Sequence, residues 1–85
     1  MNIRRTDDFE RSFLKLPGEI QRLYTIQEQR FKQNWHDPRL HIKKVRGLPL
    51  ALSFRITRRY RALFFFQTTD TAVFFDIDHR KDVYG

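Results

Sequence analysis

The chain has no cysteine. That excludes a disulfide-stapled secreted scaffold, a thiolate metal centre and a cysteine nucleophile. Glycine and proline are sparse, three of each, and no repeat, low-complexity tract or linker divides the 85 residues. No apolar run approaches the roughly 18 residues of a membrane span. The opening Met1-Asn2-Ile3-Arg4-Arg5-Thr6-Asp7-Asp8 lacks the apolar stretch of a secretory signal. The three histidines, His36, His41 and His79, show no HExxH-like or other metal spacing, so neither a metal nor another cofactor is expected. The expectation is one soluble domain, residues 1–85, in the cytoplasm, with no membrane partner.

Acid is also missing from one long stretch. Between Pro38 and Thr69 there is no Asp or Glu, while Arg39, Lys43, Lys44, Arg46, Arg55, Arg58, Arg59 and Arg61 all fall there. The chain carries 17 basic and 10 acidic residues, a net charge of +7, and this middle stretch accounts for all of it. Six of its eight cations are arginine, the planar fork that matches phosphate and carboxylate. A basic domain of this kind selects anionic partners, and here the clustering points to specific anion binding. What the sequence has in abundance is aromatic side chain: nine Phe, three Tyr and one Trp, enough to build a core in a small domain.

Asn2 to Arg5 reads as a short strand. Asp7 is placed to cap a helix with Glu10 as its box partner, and Phe9, Phe13 and Leu14 give that helix an apolar face. Pro17 closes it and opens a second helix to about Asn34. The second apolar face is Ile20, Leu23, Tyr24 and Phe31, interrupted by Gln27, with Glu28 assigned to solvent. Trp35-His36-Asp37-Pro38 is a loop, after which the period changes to two. Leu40 to Val45 reads as a strand, Gly47-Leu48-Pro49 as a turn. In the next strand Leu50, Leu52, Phe54 and Ile56 form one face, and Ala51, Ser53, Arg55 and Thr57 the other. Arg58-Arg59 is a hairpin tip, and Tyr60 to Gln67 a central strand apolar enough for cover on both faces. Ala72 to Asp78 is the last strand, with Val73, Phe75 and Ile77 on one side and Asp76 and Asp78 on the other. The fold class is α+β: an N-terminal strand and a helical hairpin on one face of a mainly antiparallel sheet of four to five strands.

Charge settles the register of the hairpin that turns at Arg58-Arg59. If paired residue numbers sum to an even value, Arg55 meets Arg61 and both emerge on the face away from the helices. An odd sum would put Arg61 on the core face opposite Ile56, a charge among apolar groups. The even register leaves Leu63 and Phe65 beside the two arginines. Such a surface can stack bases and hold phosphates; it could equally accept an amphipathic helix carrying acids.

These residues together resemble the RelE/ParE superfamily, the toxin halves of bacterial type II toxin–antitoxin systems. The resemblance runs through the helical hairpin, Asp37-Pro38-Arg39-Leu40-His41, Lys44-Val45-Arg46-Gly47, Ser53-Phe54-Arg55-Ile56-Thr57 and Tyr60-Arg61. It ends on Ile77-Asp78-His79-Arg80-Lys81-Asp82-Val83-Tyr84, so it spans essentially the whole chain. RelE-like members cut mRNA in the ribosomal A site without a metal; ParE-like members share the fold and poison DNA gyrase. The basic and His/Tyr set here resembles the cleaving branch, which implies a ribosome-dependent mRNA endonuclease that inhibits translation. A ParE-like gyrase inhibitor and an inactive nucleic-acid- or antitoxin-binding module are the alternatives.

By this resemblance the catalytic set is Arg61 at the scissile phosphate, Arg55 beside it, His79 as acid/base and Tyr84 orienting the substrate. Lys43, Lys44, Arg46, Arg58, Arg59, Arg80 and Phe65 would bind the nucleic acid. His41 is a second acid/base candidate. Asp78 stands near where RelE-like members carry a basic residue. The resemblance also implies partners: a co-encoded antitoxin with an acidic, amphipathic segment, mRNA and rRNA at the A site, and operator DNA only through the antitoxin.

Overall fold

A single residue, Thr6, turns the chain from strand to helix. Its backbone is extended (φ −75°, ψ 164°), its N–H donates to the Phe74 carbonyl at 3.0 Å, and its Oγ1 accepts from the Phe9 N–H at 3.1 Å. Thr6 is therefore the helix cap, one residue before the expected Asp7, which is already helical. Asp7, Asp8 and Glu10 then sit in the first turn, where the helix dipole favours negative charge.

The computed structural model describes residues 1–80. In order these form β1 (Asn2–Arg5), α1 (Asp7–Leu14), α2 (Gly18–Gln33), a 3-10 turn (Pro38–Leu40), β2 (Lys43–Lys44), β3 (Leu52–Arg55), β4 (Tyr60–Thr68) and β5 (Thr71–His79). The sheet order is β1-β5-β4-β3-β2, with β1 parallel to β5 and the other pairs antiparallel. The two helices are joined tightly. Gln21 Nε2 donates to the carbonyls of Phe13 and Leu16, both at 3.1 Å, tying the start of α2 back to the chain at the end of α1.

The helices cover one face of the sheet. Phe9, Tyr24, Phe31, Phe54, Phe64 and Phe74 are buried together, with Ala62, Ala72, Leu40 and Ile56 filling between them. Phe31 sits at the centre, its ring 4.9 Å from that of Phe64 and 5.4 Å from that of Phe74. Such edge-to-face contacts add to the area they bury.

The hairpin register is the even one: Arg55 pairs with Arg61, Phe54 with Ala62 and Leu52 with Phe64. Elsewhere the structure departs from the expected pattern. The strand read from Leu40 shrinks to two paired residues, because Leu40 is buried at the end of the 3-10 turn and His41 is left-handed (φ 49°). The next strand starts at Leu52, and Leu50 is 85% exposed instead of pointing inward. The β4–β5 pairing shifts between Leu63 and Phe64, with the extra residue in β5, so Phe74 opposes Phe64 while Ile77 opposes Ala62. This bulge breaks the simple alternation. Ala72, Phe74 and Ile77 join the core, and the Phe75 ring packs tilted against that of Phe65 on the open face. β4 is central, yet its open face has no second layer among the described residues, and Leu63 and Phe65 there are only half-buried.

Two polar residues of α2 are buried rather than solvated. The Glu28 carboxylate accepts from Tyr24 Oη at 2.6 Å and from Arg5 Nε at 3.1 Å, with Lys32 Nζ at 3.6 Å. Burial and this carboxylate push the Tyr24 phenol far above its ordinary pKa. Gln27 Nε2 donates to the carbonyls of Arg39 at 3.0 Å and Arg55 at 2.7 Å. It ties α2 to the 3-10 turn and to the end of β3, so a core-side amide anchors the backbone of a residue that faces the other side.

Candidate nucleic-acid interface

The open sheet face carries a cleft of about 770 Å³. Lys43, Lys44 and Arg46 come to it from β2 and the turn after it. Arg55 and Arg58 come from β3 and the hairpin tip, Arg61 from β4, and Arg80 from just beyond β5. Against these seven cations the lining holds, among the described residues, one acid, Asp78, whose carboxylate lies 3.5 Å from Arg80 Nε. The imbalance follows from the acid-free middle of the sequence, whose alternate residues the pleat sends to one face.

Arg61 forms the floor. It is only 8% exposed, although it lies on the face away from the helices. Its Nε donates to Ser53 Oγ at 2.8 Å, and its Nη2 donates to the carbonyls of Ser53, at 3.3 Å, and His41. Ser53 pairs with Leu63 and Arg55 with Arg61, so Ser53 is the diagonal neighbour of Arg61 across the strands. Burial, followed by the charges of Arg55 and Arg80, lowers the Arg61 pKa from its ordinary value, while Asp78 acts against them. An arginine starts so high that it stays a cation. The consequence is a fixed positive group in a site that already repels it, which favours an incoming anion.

The structure thus brings together Arg55, Arg61, Lys43, Lys44, Arg46, Arg58 and Arg80 from the set read in the sequence. Others lie apart. His79 pairs with Tyr60 and stacks on its ring at 4.2 Å, and Tyr60 shares its face with Ala62 and the core. The His79 ring therefore sits on the helix side, opposite Arg55 and Arg61. Phe65 lines an adjoining apolar groove with Leu48, Pro49, Leu50 and Phe75, not the basic cleft; Leu63 holds the corresponding place in the cleft. Arg59 is at the exposed hairpin tip, where its carbonyl accepts from the Arg80 N–H at 2.7 Å. His36 packs on Trp35, with ring centres 3.9 Å apart. Tyr84 lies outside the described residues.

Sequence reasoning passed over Ser53 and Gln27. Ser53 did carry a signal: a small hydroxyl two residues from Arg55 on the polar face of a strand. Gln27 appeared only as an interruption in an apolar stripe, and nothing local shows which backbone carbonyls it would reach.

No family model and no curated relative matches the sequence. Solved structures do match its fold. A chain of the RelB–RelE antitoxin–toxin complex from Methanococcus jannaschii superimposes with a TM-score of 0.74 at 22% identity, over 95% of this chain and 94% of that one. A chain of the toxin–antitoxin complex RelBE2 from Mycobacterium tuberculosis is 28% identical, with a TM-score of 0.66 over 93% of this chain and 96% of that one. The YoeB/ParE toxin from Agrobacterium tumefaciens gives a TM-score of 0.77 at 10% identity, over 94% and 99%. The fold expected from the sequence resemblance is the fold observed.

Proposed function

We propose, from a RelE-like fold that carries this cleft, that the protein is the toxin of a toxin–antitoxin pair and cleaves mRNA in the ribosomal A site. The observation that carries the reading is the concentration, among the described residues, of seven cations and a single acid in the cleft on the open sheet face. Metal-independent RNA cleavage needs the 2′-hydroxyl proton removed, the phosphorane charge steadied and the 5′ oxygen protonated. Arg61 and Arg55 suit the second task. Lys43, Lys44 and Arg46 would grip flanking phosphates, with Arg58 and Arg80, each already held within the protein, at the rim. Tyr84 is the substrate-orienting residue of this proposal, and His79 would transfer protons only on leaving the Tyr60 ring, which holds it on the helix side. A domain this small offers one face, so presentation of the RNA by the ribosome fits its size.

The antitoxin proposed as partner has an acidic, amphipathic segment. Two adjoining features support it. The groove of about 500 Å³ beside Leu48, Leu50, Phe65 and Phe75 would take apolar side chains, and the basic cleft next to it would take carboxylates. A pull-down from the native host that recovers no small acidic protein would count against this. DNA contact by the complex is proposed to run through the antitoxin.

Primer extension on mRNA from cells expressing the protein tests the activity. Breaks within translated codons are expected, and intact transcripts during growth arrest would refute cleavage. One observation favours a second reading, the ParE-like gyrase poison: among the described residues no histidine lines the cleft. That reading predicts SOS induction and filamentation rather than an immediate halt of translation. Harmless overexpression without any partner would instead mark an inactive binding module.

A further inference from the structure

His41 is the non-glycine residue with positive φ among the described residues, at φ 49° and ψ 54°. A left-handed histidine is uncommon and is held there by its surroundings. Its carbonyl accepts a hydrogen bond from Arg61 Nη2. Ser53, itself 4% exposed, holds the same guanidinium twice, through Oγ to Nε at 2.8 Å and through its carbonyl to Nη2 at 3.3 Å. These three acceptors come from two chain segments that meet over β4. Together they satisfy one edge of the fork, Nε and Nη2, and so fix the plane of the whole group. Without them Arg61 would be a long flexible cation facing Arg55, its cross-strand partner, and like charges directly opposite each other push apart.

We propose that Ser53 and the left-handed turn at His41 are positioning residues that lock the Arg61 guanidinium in the plane from which it receives a phosphodiester, and that His41 acts here through its backbone carbonyl. The inference rests on the reading of the cleft as an RNA site, but its central claim concerns the arginine and is measurable without catalysis. A preformed fork loses little freedom on binding, so the lock raises affinity for an oxyanion instead of adding a contact to it. The turn needs a residue that tolerates left-handed backbone, as histidine and asparagine do and a β-branched residue does not.

The test follows the Arg61 Nε–H signal in ¹H–¹⁵N spectra, alongside titration with a single-stranded RNA 12-mer. Ser53→Ala should bring that signal into fast exchange with water and weaken RNA binding up to about tenfold, the cost of immobilising one long side chain on binding. Ser53→Thr keeps the hydroxyl and should recover most of the loss. His41→Val should weaken binding more than His41→Asn, although both remove the ring. A protected Nε–H and unaltered affinity in Ser53→Ala would overturn the proposal, and so would equal losses for the two His41 variants. If Ser53→Ala does not fold, the ordering of the His41 pair still decides. If the wild type keeps the protected Nε–H yet binds no RNA 12-mer, the RNA reading fails while the lock stands.

Discussion

Affinity for single-stranded RNA should fall steeply with salt, by an amount the cleft allows one to work out. Seven cations line it. Arg80 is paired with Asp78, and Arg58 is already engaged by a neighbour. That leaves Lys43, Lys44, Arg46, Arg55 and Arg61 to neutralise phosphates. Each phosphate neutralised on a single strand contributes about −0.7 to the slope of log K against log salt, so five give about −3.5. Raising KCl from 50 to 200 mM should then weaken binding about 100-fold. Fluorescence anisotropy of a labelled 12-nucleotide RNA over that range measures the slope directly. Arg46→Ala and Lys43→Ala should each make it shallower by about 0.7. Lys15→Ala, at the exposed end of α1, should leave it in place. A wild-type slope shallower than about −1, or an equal effect from Lys15→Ala, would refute the claim that this cleft holds the phosphate backbone.

The buried Glu28 carboxylate predicts a stability effect: Arg5→Ala removes its main cation but leaves Tyr24 and Lys32, and the Arg5 side chain is 37% exposed, so the loss should fall below that of a fully broken buried pair, at about 2–3 kcal/mol. In a domain of this size that is about 10–20 °C in Tm by calorimetry, and Glu28→Gln in the Arg5→Ala background should restore part of it; no drop in Tm would refute the pairing. Phe31→Ala should cost about 3–5 kcal/mol by urea unfolding, since its fully buried ring touches Phe54, Phe64, Phe66 and Phe74; a loss below about 1 kcal/mol would mean that the core packs otherwise. The Asp37 carboxyl, held by the Arg39 side chain and then by the Arg39 N–H, should titrate near 2 by carbon-detected NMR, below its ordinary 3.8. A depressed folded pKa means that its contribution is complete above the ordinary value and is lost as pH falls towards 2, so Asp37→Asn should flatten the acid limb of stability at that end.

The alternation of Leu52, Phe54 and Ile56 against Ser53, Arg55 and Thr57 was enough to orient the hairpin, because burying Arg61 opposite Ile56 would have cost too much. The same local reasoning failed where partners are remote. Thr6 displaced Asp7 as the cap because β5 holds Thr6 extended through the Phe74 carbonyl. Glu28 looked solvent-facing because its position on the helix could not reveal Arg5 and Tyr24 waiting across the core.

Read alone, the sequence carried the class of fold, the helical hairpin, the even register and the concentration of the net positive charge in the middle of the chain. Periodicity, capping chemistry and charge count are local quantities, and one chain carries them openly. Only the tertiary structure decided which cations share a cleft, that His79 stands on the opposite face from Arg55 and Arg61, and that Ser53 and His41 hold Arg61 in place. Those facts depend on strand pairing, on a bulge in β5 and on one left-handed residue. Each is set by contacts between segments far apart in the chain, where sequence spacing carries no distance.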